Sequence, residues 1–385
     1  MRHAAITGWG KCLPPATLTN HDLATFMDTT DEWIVQRTGM KERRISHVSG
    51  NEMAHVAAAR AIACAGLQPA DIDLIVYGGC TGDEGVPNEA SGLQVLLGAT
   101  NAACFDINTA CTSFMYGLST ATAMIRTGVV RNAVVVGVEL ISRFMDWENR
   151  GVAVLFGDGA GAVVLQATDA EEGVIGESLG CYGDARQTLR LRGIGGLYTN
   201  QGAYLGDNFW DFEGQDIFKR AVQGMSQASS AVLDKCGVTI GDVNLVVPHQ
   251  ANLRIIEAVA KRAGADMDKV FLTVHKYGNM SAATVVVALV EAAETGVIKP
   301  HDLILLPAFG AGLTWCSHLI RWGARVTPLS TTDLDLPPCD KSALDMVQEI
   351  RRRKGTEGRS IEALKRPLFA EDQLAQRFGG VAKGN

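Results

Sequence analysis

Short runs of β-branched residues, among them Asp73-Leu-Ile-Val-Tyr77, Asn132-Ala-Val-Val-Val-Gly137 and Asn244-Leu-Val-Val247, alternate along the chain with longer stretches of helical periodicity. Apolar runs without polar alternation, separated by helices, predict an α/β architecture with a parallel sheet covered on both faces. The stretch after Cys111 carries Phe114, Met115, Leu118, Ala121 and Met124 with few charges on any face, which predicts a helix buried all round. The same strand-then-helix order recurs later, where Leu245 to Val247 lead into Leu253-Arg-Ile-Ile-Glu-Ala-Val-Ala-Lys261. No strict sequence repeat accompanies it, so order alone suggests a structural duplication. After Trp322 the texture changes. Residues 323 to 385 hold Pro337-Pro338, the basic run Arg351-Arg-Arg-Lys354 and a Gly-rich end. Ser342 to Lys354 and Ser360 to Lys365 read as short amphipathic helices in a stretch of low apolar content. That composition predicts a partly ordered tail on the surface; the alternative is a docking or oligomer-stabilising segment.

Composition narrows the class without naming a chemistry. With 385 residues, 47% of them apolar and 20% charged, the chain has enough to bury a sizeable core. A net charge of −7 argues against wholesale nucleic-acid binding. The 9 cysteines form no CxxC pair, so neither a zinc site nor a disulfide framework is expected. The start reads as a first strand rather than a leader, and reduced thiols in a cytoplasmic setting are the default. No uninterrupted apolar run approaches the ~18 to 20 residues of a membrane span.

The candidate chemistry begins with Asp106-Ile-Asn-Thr-Ala-Cys111-Thr-Ser-Phe-Met-Tyr-Gly-Leu118, which sets a cysteine where a strand gives way to the buried helix. Unpaired N–H groups and the helix dipole at such a point favour the thiolate. Two polar residues lie far downstream: His249 in Val247-Pro-His-Gln-Ala-Asn-Leu-Arg254, and Asn279 in Lys276-Tyr-Gly-Asn-Met-Ser-Ala-Ala283. Brought beside the thiol, they would supply N–H donors for charge developing on a bound carbonyl oxygen.

With these flanks the chain resembles β-ketoacyl-acyl carrier protein synthase III, a condensing enzyme of the thiolase superfamily. Thr30-Asp-Glu-Trp-Ile-Val-Gln-Arg-Thr-Gly39, Phe156-Gly-Asp-Gly-Ala-Gly-Ala162, Val247 to Arg254 and Ala308-Phe-Gly-Ala-Gly-Leu-Thr-Trp315 match the family's signature blocks in order. The resemblance covers residues 1 to about 322, where family members usually stop. It implies a thiolase-like duplicated fold, five-layered αβαβα, built of two similar halves with a five-stranded sheet each. Residues 1–165 would carry Cys111 and residues 166–322 would carry His249 and Asn279, with 323–385 an extension of unknown role.

The resemblance also implies the reaction. Cys111 takes an acyl group from acyl-CoA, and malonyl-acyl carrier protein then loses carbon dioxide and attacks the acyl-Cys. His249 and Asn279 match the donors to the malonyl thioester oxygen, and the backbone N–H groups of Cys111 and Ala311 match the oxyanion hole. Most members have glycine at Ala311; alanine keeps the N–H but forbids conformations open only to glycine. Trp33 and Arg150 match the pair that sandwiches the adenine ring, and Arg37, Gly214 and Asn252 match further CoA contacts. Cys80, Val86, Ile141, Phe156, Trp210 and Phe309 match the acyl pocket. Lys219, Arg254, Lys261 and Arg262 match a basic patch for the acidic carrier protein. No metal or organic cofactor is needed, acyl-CoA and the malonyl carrier being substrates. Family members are dimers, and Val86 stands where members specific for short primers carry a phenylalanine that closes the partner's pocket. Valine there predicts a longer, medium-chain primer, while the bulk of Trp210 and Phe212 argues the other way.

Three other expectations belong beside these. Gly157-Asp-Gly-Ala-Gly161 lacks GxGxxG spacing and a Walker lysine, so it reads as a turn passing close to the nucleophile helix rather than a nucleotide loop. His55 and His318 read as structural or surface residues. Acyl transfer to an alcohol or amine, and a non-catalytic scaffold, remain the competing functions; retention of both His249 and Asn279 favours carbon–carbon bond formation over either.

Overall fold

The computed structural model describes residues 2–195 and 209–355. Nine strands make the main sheet: β1 (His3–Cys12), β2 (Leu74–Gly78), β3 (Ala103–Ile107), β4 (Asn132–Leu140), β5 (Asp158–Thr168), β6 (Gly173–Cys181), β7 (Leu245–Val246), β8 (Leu303–Gly310) and β9 (Thr314–Arg321). Their order is β7-β8-β9-β6-β1-β5-β4-β2-β3. The long helices are α1 (Gly50–Ala65), α2 (Glu89–Leu97), α3 (Ser113–Arg126), α4 (Gly214–Cys236), α5 (Leu253–Ala263), α6 (Ala283–Glu294) and α7 (Ala343–Gly355).

Side-chain alternation divides the sheet into two halves and five layers. Val134, Val136 and Val138 of β4 point outward into a core shared with α1 and α2, while Ala133 and Val135 point inward onto α3 and α6. On β8, Ile304 and Leu306 face that same central pair of helices, and Leu305 faces Val232 and Leu233 of α4 and Ile256 of α5. The layers therefore run α1/α2, first sheet, α3/α6, second sheet, α4/α5. Helices α3 and α6 lie between two apolar sheet faces, which is why neither carries a polar stripe. Among the described residues four strands pair in the second half, and the halves join through a single parallel pair, Ala4 with Gly173.

The sheet is mixed rather than parallel. β2 runs parallel to both β3 and β4, whereas β5 lies antiparallel to β1 and β4, and β9 antiparallel to β6 and β8. Continuous apolar runs report burial on both faces, and burial is blind to strand direction.

The extension lies on the surface, as expected, and one helix anchors it. Ser342 precedes α7 and caps it, its Oγ accepting from Asp345 N at 3.1 Å, close to where the pattern predicts a helix start. Its Ala343, Met346 and Val347, at helical spacing, are buried in the same core as Leu18, Leu23 and Ile34. No residue from 324 to 342 is buried, so the described part of the tail lies on the surface and is pinned there by one face of α7; Ser360 to Lys365 lie outside the described residues. No described helix is long and apolar enough to cross a membrane.

His318 sits in the central layer with no accessible surface, its Nε2 2.7 Å from Ser119 Oγ, and burial pushes its pKa down to about 3. The unfolded chain binds this proton near pH 6.5 and the folded one does not, so stability is lost as pH falls below the unfolded value. The expected loss is about 2 kcal/mol between pH 7 and pH 5. Calorimetric melting of His318→Gln against the parent should give a shallower fall of Tm over that range.

Candidate active site

Cys111 lies in a single 3-10 turn, Ala110–Thr112, between β3 and α3. Ala110 adopts φ 50°, a left-handed turn that presents the next residue. Ser113 Oγ locks it by donating to Ala110 O at 2.7 Å and accepting from Thr109 N at 2.9 Å. Across the boundary, Thr112 Oγ1 pairs with Thr314 Oγ1 at 2.8 Å. A Cβ on Gly310 would stand 3.0 Å from the backbone nitrogens of both Cys111 and Thr112, so only glycine lets the β8 turn approach this closely.

The thiol is buried, and burial pushes its pKa up to about 12. The neighbouring Ser281 hydroxyl and the backbone N–H groups of Cys111 and Ala311 pull it back, while the nearby Glu139 charge raises it further. Desolvation therefore outweighs the helix terminus, and the resting group is a thiol, contrary to the expected thiolate. Ala311 has no positive φ, so the expected conflict between alanine and a glycine-only conformation does not arise.

His249 is buried beneath the same cavity, and desolvation pushes its pKa down to about 3, which leaves the ring neutral. Its Nδ1 lies 2.5 Å from Thr284 Oγ1, and that hydroxyl also reaches Ser281 O at 2.9 Å. With the Thr284 proton on Ser281 O, Nδ1 keeps its hydrogen and Nε2 is a lone pair; with it turned to Nδ1, Nε2 carries the hydrogen. Gln250 fixes the loop by accepting from Thr273 N at 2.9 Å and donating to Phe271 O at 3.1 Å.

Asn279 is held by its backbone to Leu155 O at 2.9 Å and to Gly157 N at 3.1 Å. Its Oδ1 accepts from Ser281 N at 2.8 Å, which commits the oxygen and leaves the amide N–H groups for the cavity. Ser281 itself sits at φ 47°, and its Oγ donates to the buried Glu139 at 2.8 Å. The Gly157–Gly161 stretch packs against this second-half loop, not chiefly against the nucleophile helix: a Cβ on Gly157 would meet Tyr277 O at 2.8 Å, and one on Gly161 would meet Val286 of α6 at 2.7 Å.

A cavity of about 750 Å³ connects Cys111, His249 and Asn279 to the surface. Trp33, Arg37, Gly214, Asn252, Arg254, Phe156 and Phe309 line it. Asn252 also caps α5, accepting from Arg254 N at 2.9 Å, and donates to Arg37 O at 3.1 Å. Arg150 stands at the mouth with its guanidinium 5.1 Å from the Trp33 ring, and it donates to Asp28 O. At that distance the two side chains touch, so a ring enters between them only by parting them.

Cys80, Ile141, Phe156 and Trp210 share one apolar cluster, with Trp210 stacked 5.3 Å from Phe156 and donating to Phe144 O at 3.0 Å. Cys80 Sγ contacts Glu139 at 3.4 Å, and its own pKa is raised by burial. Val86 is 89% exposed and lines no part of this chain's cavity. Of the basic patch, Lys219 and Arg254 border the mouth; Lys261 and Arg262 lie at the far end of α5, about 12 Å along it. Glu139, Ser281, Thr284 and Gln250 were missed as candidates. Small polar residues beside Asn279 at the start of an apolar helix were the available signal.

A cysteine on a strand–turn–helix joint, facing His and Asn from the matching half of a five-layered αβαβα unit, defines a thiolase-fold condensing enzyme. Residues 105–183 match the family described as 3-oxoacyl-[acyl-carrier-protein] synthase III, and residues 233–322 match its C-terminal counterpart. The chain is 51% identical over 350 residues to β-ketoacyl-[acyl-carrier-protein] synthase III 2 of Vibrio cholerae, covering 90% of this chain and 96% of that one. Among solved structures, 3-oxoacyl-[acyl-carrier-protein] synthase III from Aquifex aeolicus VF5 is 40% identical with a TM-score of 0.78, covering 83% of this chain and 100% of that chain. The priming β-ketosynthase from the R1128 polyketide biosynthetic pathway is 31% identical with a TM-score of 0.80, covering 85% and 97%. The chain belongs to the β-ketoacyl-acyl carrier protein synthase III family.

The Ser281 contact carries a prediction. Ser281→Ala removes the hydroxyl whose single proton, given to Glu139 at rest, can turn to the sulfur as the thiolate forms, so alkylation of Cys111 by iodoacetamide at pH 8 should slow about tenfold. In the parent the alkylation rate should still be climbing at pH 10, since the thiol titrates near 12. Peptide mapping of the modified cysteine reads both; a plateau below pH 8 would contradict the buried-thiol reading.

Proposed function

We propose that the protein condenses an acyl-CoA primer with malonyl-acyl carrier protein, with loss of carbon dioxide, through an acyl-Cys111 intermediate. The observation that carries this is the pair of donors facing one cavity with the thiol: Asn279 with its Oδ1 already committed, and His249 neutral and able to carry hydrogen on Nε2. Simple acyl transfer requires no such pair.

Acylation begins from a protonated thiol. As sulfur bonds to the acyl carbon, its proton leaves, and the His249 tautomer with a lone pair on Nε2 receives it and returns it to the departing CoA sulfur. The tetrahedral oxygen lies against the N–H groups of Cys111 and Ala311. In the second half, the malonyl carboxylate departs as carbon dioxide and the electron pair moves onto the thioester oxygen. Asn279 Nδ2–H and His249 Nε2–H stabilise that charge, so this step uses the other tautomer. The enolate carbon then attacks acyl-Cys111, the carbon–sulfur bond breaks, and the thiolate regains a proton from solvent. A thiol that titrates near 12 favours that recovery.

The finer reading concerns primer and assembly. The edge strand β3 leaves one side unpaired, and the exposed Val86 suits contact with a second copy, as in a homodimer whose pockets share residues. Trp33 and Arg150 serve the nucleotide, and Lys219 and Arg254 steer the acidic carrier protein to the mouth. Valine at position 86 favours a medium-chain primer; Val86→Phe should shift the preferred chain length downward, read as Cys111 acylation rates across an acyl-CoA series.

Asn279→Ala tests the division of labour. Removing one oxyanion-type donor should cut malonyl-dependent carbon dioxide release about 10²- to 10³-fold. Acylation of Cys111, followed separately, should stay near the parent rate. Equal losses in both steps would move Asn279 to a structural role and favour the acyl-transfer alternative.

A further inference from the structure

The segment beyond Trp322 lies past the end of the family's C-terminal match, yet it is built into this fold rather than appended to it. Arg325 anchors its start, donating to Cys64 O at 3.1 Å and to Thr7 O while lying 5.4 Å over Trp9. The strap then crosses α1, where Leu329 N donates to Cys64 O at 3.0 Å and Arg60 donates to Leu334 O at 3.2 Å. His47 Nε2 holds Pro337 O at 2.8 Å. The strap ends in α7.

α7 reaches the segments that carry both walls of the cavity mouth. Met346 and Val347 share a core with Leu23 and Ile34 on the Trp33 side, and with Trp147 and Val152 on the Arg150 side. Arg351 ties the same two walls in one contact. Its Nε and Nη2 donate to Glu148 Oε1 at 2.9 and 2.7 Å, and its guanidinium lies 4.5 Å over the Phe26 ring. Glu148 is two residues from Arg150, and Phe26 is two residues from Asp28, the residue Arg150 binds. Between them, Asn149 caps the short turn that starts at Arg150.

We propose that the C-terminal strap positions the two walls of the nucleotide slot, and that Arg351 sets the affinity of the enzyme for the CoA portion of its primer, not for the acyl chain. This rests on reading Trp33 and Arg150 as the slot. A ring enters only by parting these side chains, so its binding depends on how firmly their backbones are held from behind. An anchor shared by both walls lowers the ordering cost of binding and leaves the reacting groups untouched. Arg351 is a positioning residue: it acts on ligand only through Glu148 and Phe26.

The test compares two donors of the same acyl group, acyl-CoA and the N-acetylcysteamine thioester, which lacks the nucleotide. Cys111 acylation is followed by intact mass in the parent, in Arg351→Glu and in Arg351→Glu/Glu148→Arg. The single variant should raise the half-saturating acyl-CoA concentration about five- to tenfold, with the N-acetylcysteamine rate changed by less than about twofold. The charge-swapped pair should recover most of the loss. Unchanged acyl-CoA saturation, or equal weakening with both donors, overturns the proposal. A parent that saturates at the same concentration with both donors would instead remove the nucleotide slot itself, and the proposal with it.

Discussion

One buried carboxylate holds the reactive groups in register. Glu139, at the end of β4, has no accessible surface and accepts from Thr81 Oγ1 at 2.5 Å, Ser281 Oγ at 2.8 Å and Cys80 N at 3.3 Å. Those partners come from the loop after β2 and from the Asn279 loop, so a residue of the first half fixes the conformation of the second. Ser281 tolerates its left-handed backbone because Glu139 and Asn279 Oδ1 bind it on both sides. A carboxyl without water is costly, and burial raises its pKa; only the ring of donors keeps it tenable.

The same burial governs the chemistry. It makes Cys111 a thiol and His249 a neutral imidazole, neither of them the reactive ion in the resting state. It also makes each fixed N–H more effective toward charge that appears during reaction. The site is poor at holding a standing charge and well arranged to meet a transient one. Thr284, whose hydroxyl has partners in either orientation, allows His249 to accept a proton in one half of the cycle and to donate a hydrogen bond in the other.

Much of this was legible in the chain. The apolar helix after Cys111, the matched strand-then-helix order at His249, and the signature blocks identified the layered fold and the three reactive residues. Strand direction was not legible, because Val163 to Leu165 of antiparallel β5 are as uniformly apolar as Val134 to Val136 of β4. The burial of one face of α7 was illegible for a different reason. Its buried face is made of Ala343, Met346 and Val347, too few apolar residues to lift the average of a segment rich in charge. The expected thiolate failed because a helix terminus can be read from sequence, whereas the desolvation that opposes it depends on what packs around the sulfur.

The most direct test is intact-protein mass after mixing with acyl-CoAs of increasing chain length, read before and after a chase with malonyl-acyl carrier protein. We expect one acyl adduct on the parent and none on Cys111→Ala, with the adduct lost as β-ketoacyl product forms. An adduct that persists through the chase, or one that forms equally on Cys111→Ala, would contradict condensation through Cys111.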